Sequence, residues 1–443
     1  MNKHKLFKNL FSLGLILCGF TMQAQHLNKV KLDSLFNTLE KNERYMGSIA
    51  ISHHGKTIYT NAIGYDDIAS KKESTSDTKY KIGSISKMFT SVLIFKAVEE
   101  EKIQLNQTID TYFPTVENAN EITIGNLLNH RSGIFNFTND PDYLKWNTHA
   151  KTKEELINII NKNKSVFEPN SKAEYSNSNY VLLTFILEDI YKKSFSELLK
   201  TRITQPLGIH NTYVGGKIDL ANNECNSYSY TGEWEKQSET DMSIPLGAGA
   251  VVSNPTDLNK FIEGLFIGKL ISEVSLEQMT TLKDNYGMGI FQYPFYQKKL
   301  YGHTGGIDGF SSIVGYLSNE ELAISLVSNG NNYDGNDIII GALSCFYDKP
   351  YKIPTFSSFE VSKDDLENYV GYYGCPQLPL KIDVSTKNGV LIIQATNQPS
   401  FSLETTAKNI FESRKIGAVF EFNPEENQFL LKQGGAEFVF TKE

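Results

Sequence analysis

A hydroxyl and an amine lie three residues apart in the segment that begins at Ser84 and ends at Lys87. On a helix this spacing places both side chains on one face, within reach of each other. A serine is a weak nucleophile until a neighbour takes its proton, and a lysine takes it only where burial or nearby charge lowers the lysine pKa. The segment therefore predicts a serine nucleophile, Ser84, with Lys87 as its base.

The same spacing of serine and lysine recurs at Ser76 and Lys79, so the motif alone does not choose between the two copies. Ser76 lies in a polar loop ahead of a strand-like segment. Ser84 instead follows Gly83 at the start of an apolar helix, where free backbone N–H groups and the helix dipole favour a developing anion. This context selects Ser84.

A phenol and an amide follow at Tyr175 and Asn177. We expect the phenol to relay protons and the amide to hydrogen-bond the substrate in the same cleft. A similar segment begins at Tyr59, but it lies inside a predicted hairpin, where Tyr and Thr are ordinary strand residues. Tyr175 lies in a loop between a turn at Pro169 and a helix, and catalytic groups are usually found on loops.

The segment His303-Thr304-Gly305-Gly306 comes at the end of a predicted strand. Its two glycines let a substrate backbone lie close to the strand edge. The backbone N–H groups of Gly306 and Ser84 are together expected to form an oxyanion hole. A histidine taken alone in such a place is more often an ordinary polar residue at a strand end.

Taken in order, the three motifs resemble those of the penicillin-binding-protein and class C β-lactamase superfamily of active-site serine enzymes. The elements of that superfamily are Ser-x-x-Lys, Tyr-x-Asn and Lys/His-Thr/Ser-Gly. The resemblance covers nearly the whole mature chain and includes supporting segments at 124–133, 206–209, 247–249 and 302–310. In the family the first of these segments is a structural loop, so a catalytic role for His130 is not implied.

The resemblance implies a reaction in two steps. Ser84 attacks an amide or ester carbonyl while Lys87 and Tyr175 take and relay its proton, and the same two groups then protonate the leaving group. Water hydrolyses the acyl-enzyme in the second step, with Tyr175 as the group that activates it. No metal or organic cofactor is implied.

The same resemblance implies how the substrate is held. Asn177 binds the substrate's amide, and His303 and Thr304 orient its far end. β-Lactamases of this type usually have lysine in place of His303, and the His-Thr-Gly form is similar to D-alanyl-D-alanine carboxypeptidases and to esterase-like relatives. Histidine titrates near neutrality, whereas lysine keeps a fixed positive charge for a substrate carboxylate. Recognition of an anionic substrate at this place is therefore open.

These residues need a scaffold, and strand patterns stand at both ends of the region that contains them. Residues 47–64 form a predicted β-hairpin. Helices are predicted from about Ser84, over 152–162 and over 180–203, and strands return at 287–293, 299–303, 311–316 and 322–328. This order predicts an α+β fold, β-lactamase/transpeptidase-like, in which an antiparallel sheet is built from both ends of the catalytic domain with a helical insert packed on it.

The composition changes after Pro354 to short alternating strands. Asn388-Gly389, between two such strands, is a strong signal for a two-residue hairpin turn. We therefore predict a catalytic domain over 26–350 and a small all-β C-terminal domain over 357–443. A rival hypothesis makes the C-terminal domain a carbohydrate- or partner-binding module with the larger domain as its scaffold.

Residues 1–25 have the layout of a cleavable signal peptide, with a basic start, an apolar stretch and a polar end. The apolar stretch is shorter than the roughly 20 residues that cross a bilayer, so no membrane span is expected. The sequence thus predicts an exported protein, either periplasmic or secreted.

The charge of the chain limits its partners. The 51 acidic and 43 basic residues give a formal net charge of -8, which argues against a general affinity for nucleic acid or anionic lipid. A small-molecule or peptide substrate is expected, and the oligomeric state is left open.

Together these features predict an exported serine acyl hydrolase that acts on D-amino-acid peptides such as a peptidoglycan stem, like a D-alanyl-D-alanine carboxypeptidase. A β-lactamase or an esterase of the same family is the runner-up. From another class, the chain would be a catalytically idle penicillin-binding or sensor protein, although every reactive side chain of the three motifs is present.

Overall fold

A computed structural model describes residues 27–443 of the chain, except 357, 358, 360, 397 and 399. The predicted signal peptide, residues 1–25, lies outside the described residues. Among the helices of the described part, none is both long and apolar enough to span a bilayer.

Most strands of the described chain belong to two antiparallel sheets. The strands are, in chain order, Tyr45–His53 (β1), Lys56–Ile63 (β2), Tyr65–Asp67 (β3), Lys72–Glu73 (β4), Tyr80–Lys81 (β5), Tyr213–Val214 (β6), Tyr228–Tyr230 (β7), Trp234–Lys236 (β8), Val251–Ser253 (β9), Phe291–Phe295 (β10), Lys298–Ile307 (β11), Phe310–Leu317 (β12), Leu322–Asn331 (β13), Gly371–Cys375 (β14), Leu378–Lys387 (β15), Val390–Ala395 (β16), Phe401–Ser402 (β17), Glu404–Ala407 (β18), Ile410–Ser413 (β19), Ala418–Asn423 (β20), Gln428–Gln433 (β21) and Ala436–Lys442 (β22). The α-helices are Lys29–Lys41 (α1), Ser86–Glu99 (α2), Ile124–Leu128 (α3), Tyr143–Trp146 (α4), Lys153–Asn161 (α5), Asn177–Tyr191 (α6), Phe195–Leu199 (α7), Gln205–Leu207 (α8), Pro255–Phe266 (α9), Glu273–Thr280 (α10), Gly335–Phe346 (α11) and Lys363–Leu366 (α12).

The first large sheet has six strands in the order β10-β11-β12-β13-β1-β2. β1 pairs antiparallel with β13, so the predicted sheet built from both ends of the catalytic region is confirmed. The expected hairpin is β1–β2, with positive φ at His54 and Gly55 in its turn. β10 begins later than the strand predicted over 287–293, because Gly287 donates to the carbonyl oxygen of Ile290 in a turn.

Each face of this sheet packs on its own layer of helices, because side chains alternate along a strand. In β13, Leu322, Ile324 and Leu326 join the core that contains α1 and α11. Ala323 and Val327 join the core that contains α2, α6 and α9. The helical insert therefore covers one face of the sheet, and α1 and α11 cover the other.

One predicted helix is interrupted in the structure. The chain predicted as helical over 180–203 ends α6 early and starts α7 a few residues later. Lys192 has a left-handed φ of 53°, which stops α6, and the Ser194 side chain caps α7 by accepting from the N–H of Glu197. The helix predicted over 152–162 is confirmed as α5.

The C-terminal region forms a nine-stranded antiparallel sheet in the order β17-β16-β15-β14-β22-β21-β20-β19-β18. The predicted turn is Asn388-Gly389, where both φ values are positive, at 49° and 78°, as a two-residue hairpin requires. A separate buried cluster, which includes Phe411, Phe422 and Phe429, fills this region. The C-terminal region is β-rich, as predicted, although the short helix α12 and a turn of 3-10 helix precede its first strand. The domain boundaries at 350 and 357 stay a prediction.

Candidate active site

Ser84 lies in a single turn of 3-10 helix, Gly83–Ile85, that leads directly into α2. Ser84 is partly exposed, whereas Lys87, in the first turn of α2, is completely buried. Lys87 Nζ lies 3.0 Å from Ser84 Oγ. The structure thus brings together the hydroxyl and the amine that the spacing predicted.

Glycines let β11 approach this turn. Gly83 has a φ of +50°, in the region that favours glycine, and a Cβ there would lie 2.7 Å from the backbone nitrogen of Gly306. A Cβ on Gly305 would lie 2.0 Å from the carbonyl oxygen of Ile82. Backbone contact between the turn and the strand therefore holds Ser84 beside the end of β11.

Lys87 Nζ has three uncharged partners, namely Ser84 Oγ, Asn177 Oδ1 at 2.7 Å and the carbonyl oxygen of Ala248 at 2.8 Å. Burial lowers the pKa of Lys87 well below its usual range, because the charged amine loses its hydration there. In the neutral form two N–H groups donate to the Asn177 and Ala248 oxygens. The lone pair then faces the hydroxyl of Ser84, which is the arrangement that a base for a serine requires.

Tyr175 lies in the loop before α6, and its hydroxyl donates to Ser84 Oγ at 2.7 Å. Burial raises the pKa of this phenol, so Tyr175 keeps its proton at neutral pH. The ring also lies beside Lys87, whose Nζ is 4.8 Å from the ring centroid. Ser84 Oγ is therefore held between a phenol with a raised pKa and an amine with a lowered pKa.

Asn177 is the first residue of α6. Its Oδ1 accepts from Lys87, and its Nδ2 donates to Thr138 Oγ1 at 3.2 Å. Its backbone N–H donates to Asn136 Oδ1 at 3.0 Å. The loop with Asn136 and Thr138 was absent from the predicted site, because neither residue belongs to a motif with recognisable spacing.

His303 is only 2% exposed within β11. Its Nδ1 lies 2.5 Å from the carbonyl oxygen of Thr304, and its ring meets the ring of Phe291 edge-on with 4.8 Å between centroids. Burial, and secondly the neighbouring Lys87, lower the pKa of His303 to about 3. The expectation that this histidine titrates near neutrality is therefore wrong, and the ring is neutral at physiological pH.

The rest of the third motif borders open space. Thr304 and Gly306 are exposed, and Gly305 is partly exposed. A Cβ on Gly306 would have no heavy atom nearer than 3.9 Å outside its immediate neighbours. The accessible edge of β11 that the two glycines predicted is present next to Ser84, and the oxyanion hole of the Gly306 and Ser84 N–H groups stays a prediction.

The duplicate motifs have other partners. Ser76 is exposed, and Lys79 Nζ donates to Asn222 Oδ1 at 2.8 Å. The hydroxyl of Tyr59 donates to the carboxylate of Asp33 at 2.7 Å. Local context therefore distinguished the copies that lie around Ser84 from those that do not.

His130, which the resemblance assigns to a structural loop, lies against Tyr175. The residue is 1% exposed, and its ring centroid is 4.4 Å from that of Tyr175. Two of its hydrogen bonds go to the backbone on either side of Tyr175. No motif spacing signals this contact, because it joins two loops that are distant along the chain.

Comparison with known proteins gives the family. The family model described as Beta-lactamase matches residues 32–342, a range that includes all three motifs. The chain is 26% identical over 450 residues to penicillin-binding protein 4* of Bacillus subtilis (strain 168), a match that covers 93% of this chain and 98% of that protein.

Two further relatives agree with this assignment. The teichoic acid D-alanine hydrolase of Staphylococcus aureus (strain MRSA252) is 26% identical over 300 residues, which cover 66% of this chain and 72% of that protein. The structure of D-amino acid amidase from Ochrobactrum anthropi SV3 complexed with L-phenylalanine matches with a TM-score of 0.65 at 25% identity, over 72% of this chain and 98% of that chain. The resemblance and the fold class predicted from the sequence are confirmed. The chain belongs to the β-lactamase family and is a serine hydrolase.

Proposed function

We propose that this protein is an exported serine acyl hydrolase that forms an acyl-enzyme on Ser84 and cleaves D-amino-acid peptides, in the manner of a D-alanyl-D-alanine carboxypeptidase. The observation that supports it most is the environment of Ser84 Oγ, which lies 2.7 Å from the hydroxyl of Tyr175 and 3.0 Å from the buried amine of Lys87. A serine hydroxyl between a proton donor and an uncharged base is an activated nucleophile.

In the first step Ser84 Oγ attacks the carbonyl carbon of the substrate, and Lys87 Nζ takes the hydroxyl proton. The new C–O bond moves negative charge to the carbonyl oxygen, where the N–H groups of Ser84 and Gly306 stabilise it. When the tetrahedral intermediate collapses, the bond to the leaving nitrogen breaks and Tyr175 gives that nitrogen its proton. The proton on Lys87 then returns to Tyr175, so both groups recover their starting state.

In the second step water attacks the ester carbonyl of the acyl-enzyme. Because burial raises the pKa of Tyr175, the phenol accepts the proton of water only as it passes its own proton towards Lys87. The Ser84 oxygen leaves with the proton from Lys87, and the acid product is released. This is ordinary acid–base catalysis in which two neighbours with opposite pKa shifts share one proton.

The acyl part of the substrate is proposed to have the D configuration. Support comes from the names of two relatives, a teichoic acid D-alanine hydrolase and a D-amino acid amidase. In this proposal Asn177 binds the substrate's amide, and His303 and Thr304 orient its far end along β11. Export rests on the layout of residues 1–25.

A hydrolase of D-amino-acyl esters or amides is the second candidate, and one observation favours it. His303 stands where β-lactamases of this type usually have lysine, and its buried ring is neutral. A neutral imidazole offers no net charge to the terminal carboxylate of a peptide. A substrate whose leaving group has no carboxylate therefore suits this end of the site.

Intact mass spectrometry after exposure to a fluorescent penicillin tests the acyl-enzyme. We expect a mass increment on the wild type and on Ser76→Ala, whose serine belongs to the duplicate motif, and none on Ser84→Ala. An increment that persists in Ser84→Ala would contradict the proposal. Hydrolysis of the drug, followed in parallel, separates a β-lactamase, which consumes it rapidly, from a carboxypeptidase-like enzyme.

If penicillin leaves the wild type unlabelled, p-nitrophenyl esters and D-amino-acid amides replace it as probes. Turnover that Ser84→Ala abolishes would support the esterase or amidase. No turnover of any probe would identify a catalytically idle binding protein and end the proposal.

Two matched peptides decide between the substrate classes. Both end in D-alanyl-D-alanine, one with a free carboxylate and the other with a carboxamide, and an L-alanyl version of each controls for stereochemistry. Faster cleavage of the free acid supports a carboxypeptidase. Equal or faster cleavage of the carboxamide supports the second candidate, and cleavage of the L-alanyl peptides at the same rate would exclude both.

A further inference from the structure

His130 is attached to the chain on both sides of Tyr175. Its carbonyl oxygen accepts the N–H of Glu174 at 2.9 Å, and its Nδ1 accepts the N–H of Ser176 at 3.2 Å. Its ring lies 4.4 Å from the ring of Tyr175, centroid to centroid, at an interplanar angle of 32°. Three contacts from one residue thus surround the tyrosine whose hydroxyl reaches Ser84.

The backbone of His130 has an unusual conformation. Its φ of 59° lies in the left-handed region, which residues other than glycine adopt at a cost in energy. In this conformation both its carbonyl oxygen and its side chain reach residues 174–176.

The histidine ring has a defined protonation state. Nδ1 must keep its lone pair to accept from Ser176, so the proton of the neutral ring is on Nε2. Nε2 is buried and has no hydrogen-bond partner among the described residues, which is unfavourable in itself. Burial lowers the pKa of His130 well below its usual range, so the ring stays uncharged and Nδ1 remains an acceptor.

The rest of the loop is bound to the same neighbouring segment. The carbonyl oxygen of Arg131 accepts the N–H of Asn170 at 2.7 Å, and that of Gly133 accepts the N–H of Val166 at 2.8 Å. Residues 166–176 are therefore hydrogen-bonded along the loop that begins at His130. Within this loop, His130 is the residue that contacts the ring of Tyr175.

We propose that His130 is a positioning residue that holds the phenol of Tyr175 within hydrogen-bond distance of Ser84 Oγ. This inference rests on the proposed function, because His130 acts only through Tyr175. The two hydrogen bonds fix the backbone before and after the tyrosine, and the ring limits the rotation of the phenol. Proton transfer needs this geometry, since a misplacement of about 1 Å can slow a reaction ~100-fold.

Two substitutions separate these contacts. His130→Asn keeps an acceptor near the place of Nδ1 and suits a left-handed φ, but it removes the ring. His130→Phe keeps a ring and removes the acceptor. We expect each to slow acylation of Ser84 by a p-nitrophenyl ester roughly 10–100-fold, with little change in KM. Ser171→Ala is the control from the segment before Tyr175, because Ser171 is exposed and the hydrogen bond its hydroxyl loses goes to the carbonyl oxygen of Glu168 at 2.6 Å. We expect this variant to acylate at the wild-type rate.

A double-mutant cycle distinguishes positioning from a general loss of structure. In the Tyr175→Phe background the hydroxyl is absent, so the His130 substitutions should slow the residual acylation no more than about twofold. The same loss in both backgrounds would overturn the proposal. The crystal structure of His130→Phe gives a measurement that is independent of activity: a displaced Tyr175 hydroxyl supports the proposal, and an unchanged distance of 2.7 Å to Ser84 Oγ overturns it.

A failure of the proposed function gives a different result. If Ser84→Ala releases p-nitrophenolate as fast as the wild type, the acyl-enzyme on Ser84 is wrong whatever His130 does. If Ser84→Ala is inactive while both His130 variants acylate at the wild-type rate, the role of His130 alone is wrong.

Discussion

Lys87 becomes a base because of where the fold places it. Its amine is completely buried, and its three partners are a hydroxyl, a side-chain amide and a peptide carbonyl, none of which is charged. Burial among uncharged partners favours the neutral amine, because nothing there compensates for the hydration that the charged form would lose. The proposed chemistry therefore requires that the fold exclude water and carboxylates from the amine of Lys87.

His303 makes the stability of the fold depend on pH. Its pKa in the folded chain is about 3, against 6.5 for an unperturbed histidine, so between these values the unfolded chain binds the extra proton. The contribution is complete above pH 6.5 and is lost as the pH falls towards 3, which amounts to about 3 kcal/mol by pH 4. We predict that the unfolding free energy of His303→Asn, measured in urea, falls between pH 7 and pH 4 by about 3 kcal/mol less than that of the wild type.

His210 is exposed and supplies the control for this experiment. His210→Asn removes a histidine from the surface, so its unfolding free energy should depend on pH as that of the wild type does. Equal pH dependence of His303→Asn and the wild type would mean that the His303 ring is accessible to protons in solution.

Residue type and spacing were enough to predict that Ser84 and Lys87 meet, because one helical turn determines their geometry. The meeting of Tyr175 with Ser84 joins distant parts of the chain, and it was expected from the resemblance of the three motifs to a known family. Residue type and spacing were not enough for the pKa of His303, which depends on how deeply folding buries its ring. The contact between His130 and Tyr175 was missed for a related reason. Contact between the rings of two loops leaves no trace in residue type, so only the folded chain reveals it.

β11 and the turn before α2 lie so close together that only glycine fits at their contact. The main chain of Gly306 lies against Gly83, and that of Ile82 lies against Gly305. Because no side chain stands between the two elements, none can adjust to a change in their separation. The position of the accessible edge of β11 relative to Ser84 is therefore determined by the backbone itself.

Gly305→Ala tests this contact. Its Cβ would lie 2.0 Å from the carbonyl oxygen of Ile82, so β11 must move away from the turn. We expect a loss of about 1–3 kcal/mol in unfolding free energy and at least ~10-fold slower acylation, measured by urea unfolding and single-turnover kinetics. Gly216→Ala, where a Cβ meets nothing within 4 Å, should change stability by less than about 0.5 kcal/mol. Wild-type acylation by Gly305→Ala would show that the contact does not position the site.

Hairpins were the most predictable elements, because alternation and turn residues are local signals. The turn at Asn388-Gly389 and the hairpin over 47–64 both occur where expected. The break between α6 and α7 was missed because Lys192 has a left-handed φ. Lysine does not favour this conformation, so the residue type did not predict the break. The cap at Ser194 was the available signal, but it was outweighed by the apolar pattern on both sides.

The catalytic region and the C-terminal sheet meet at a charged cluster around Phe356. The guanidinium groups of Arg44 and Arg414 lie 4.7 Å and 5.0 Å from the centroid of its ring. Glu404 pairs with both arginines, and all three charged side chains are at most 26% exposed. The sequence predicted two regions but not how they dock, because these charges lie at opposite ends of the chain.

Glu404→Ala is predicted to uncouple the two regions. It removes the carboxylate that pairs with Arg44 and leaves Arg414 with Glu412 alone, at a cost of about 2–4 kcal/mol because both arginines are largely buried. Both tryptophans belong to the catalytic region, so in urea their fluorescence follows that region while far-UV circular dichroism follows the whole chain. The two transitions should coincide in the wild type and separate in Glu404→Ala. Glu421→Ala, which breaks an exposed pair with Lys432, should leave the two transitions coincident, because exposed ion pairs contribute little to stability. Coincident transitions in Glu404→Ala would mean that the cluster does not hold the regions together.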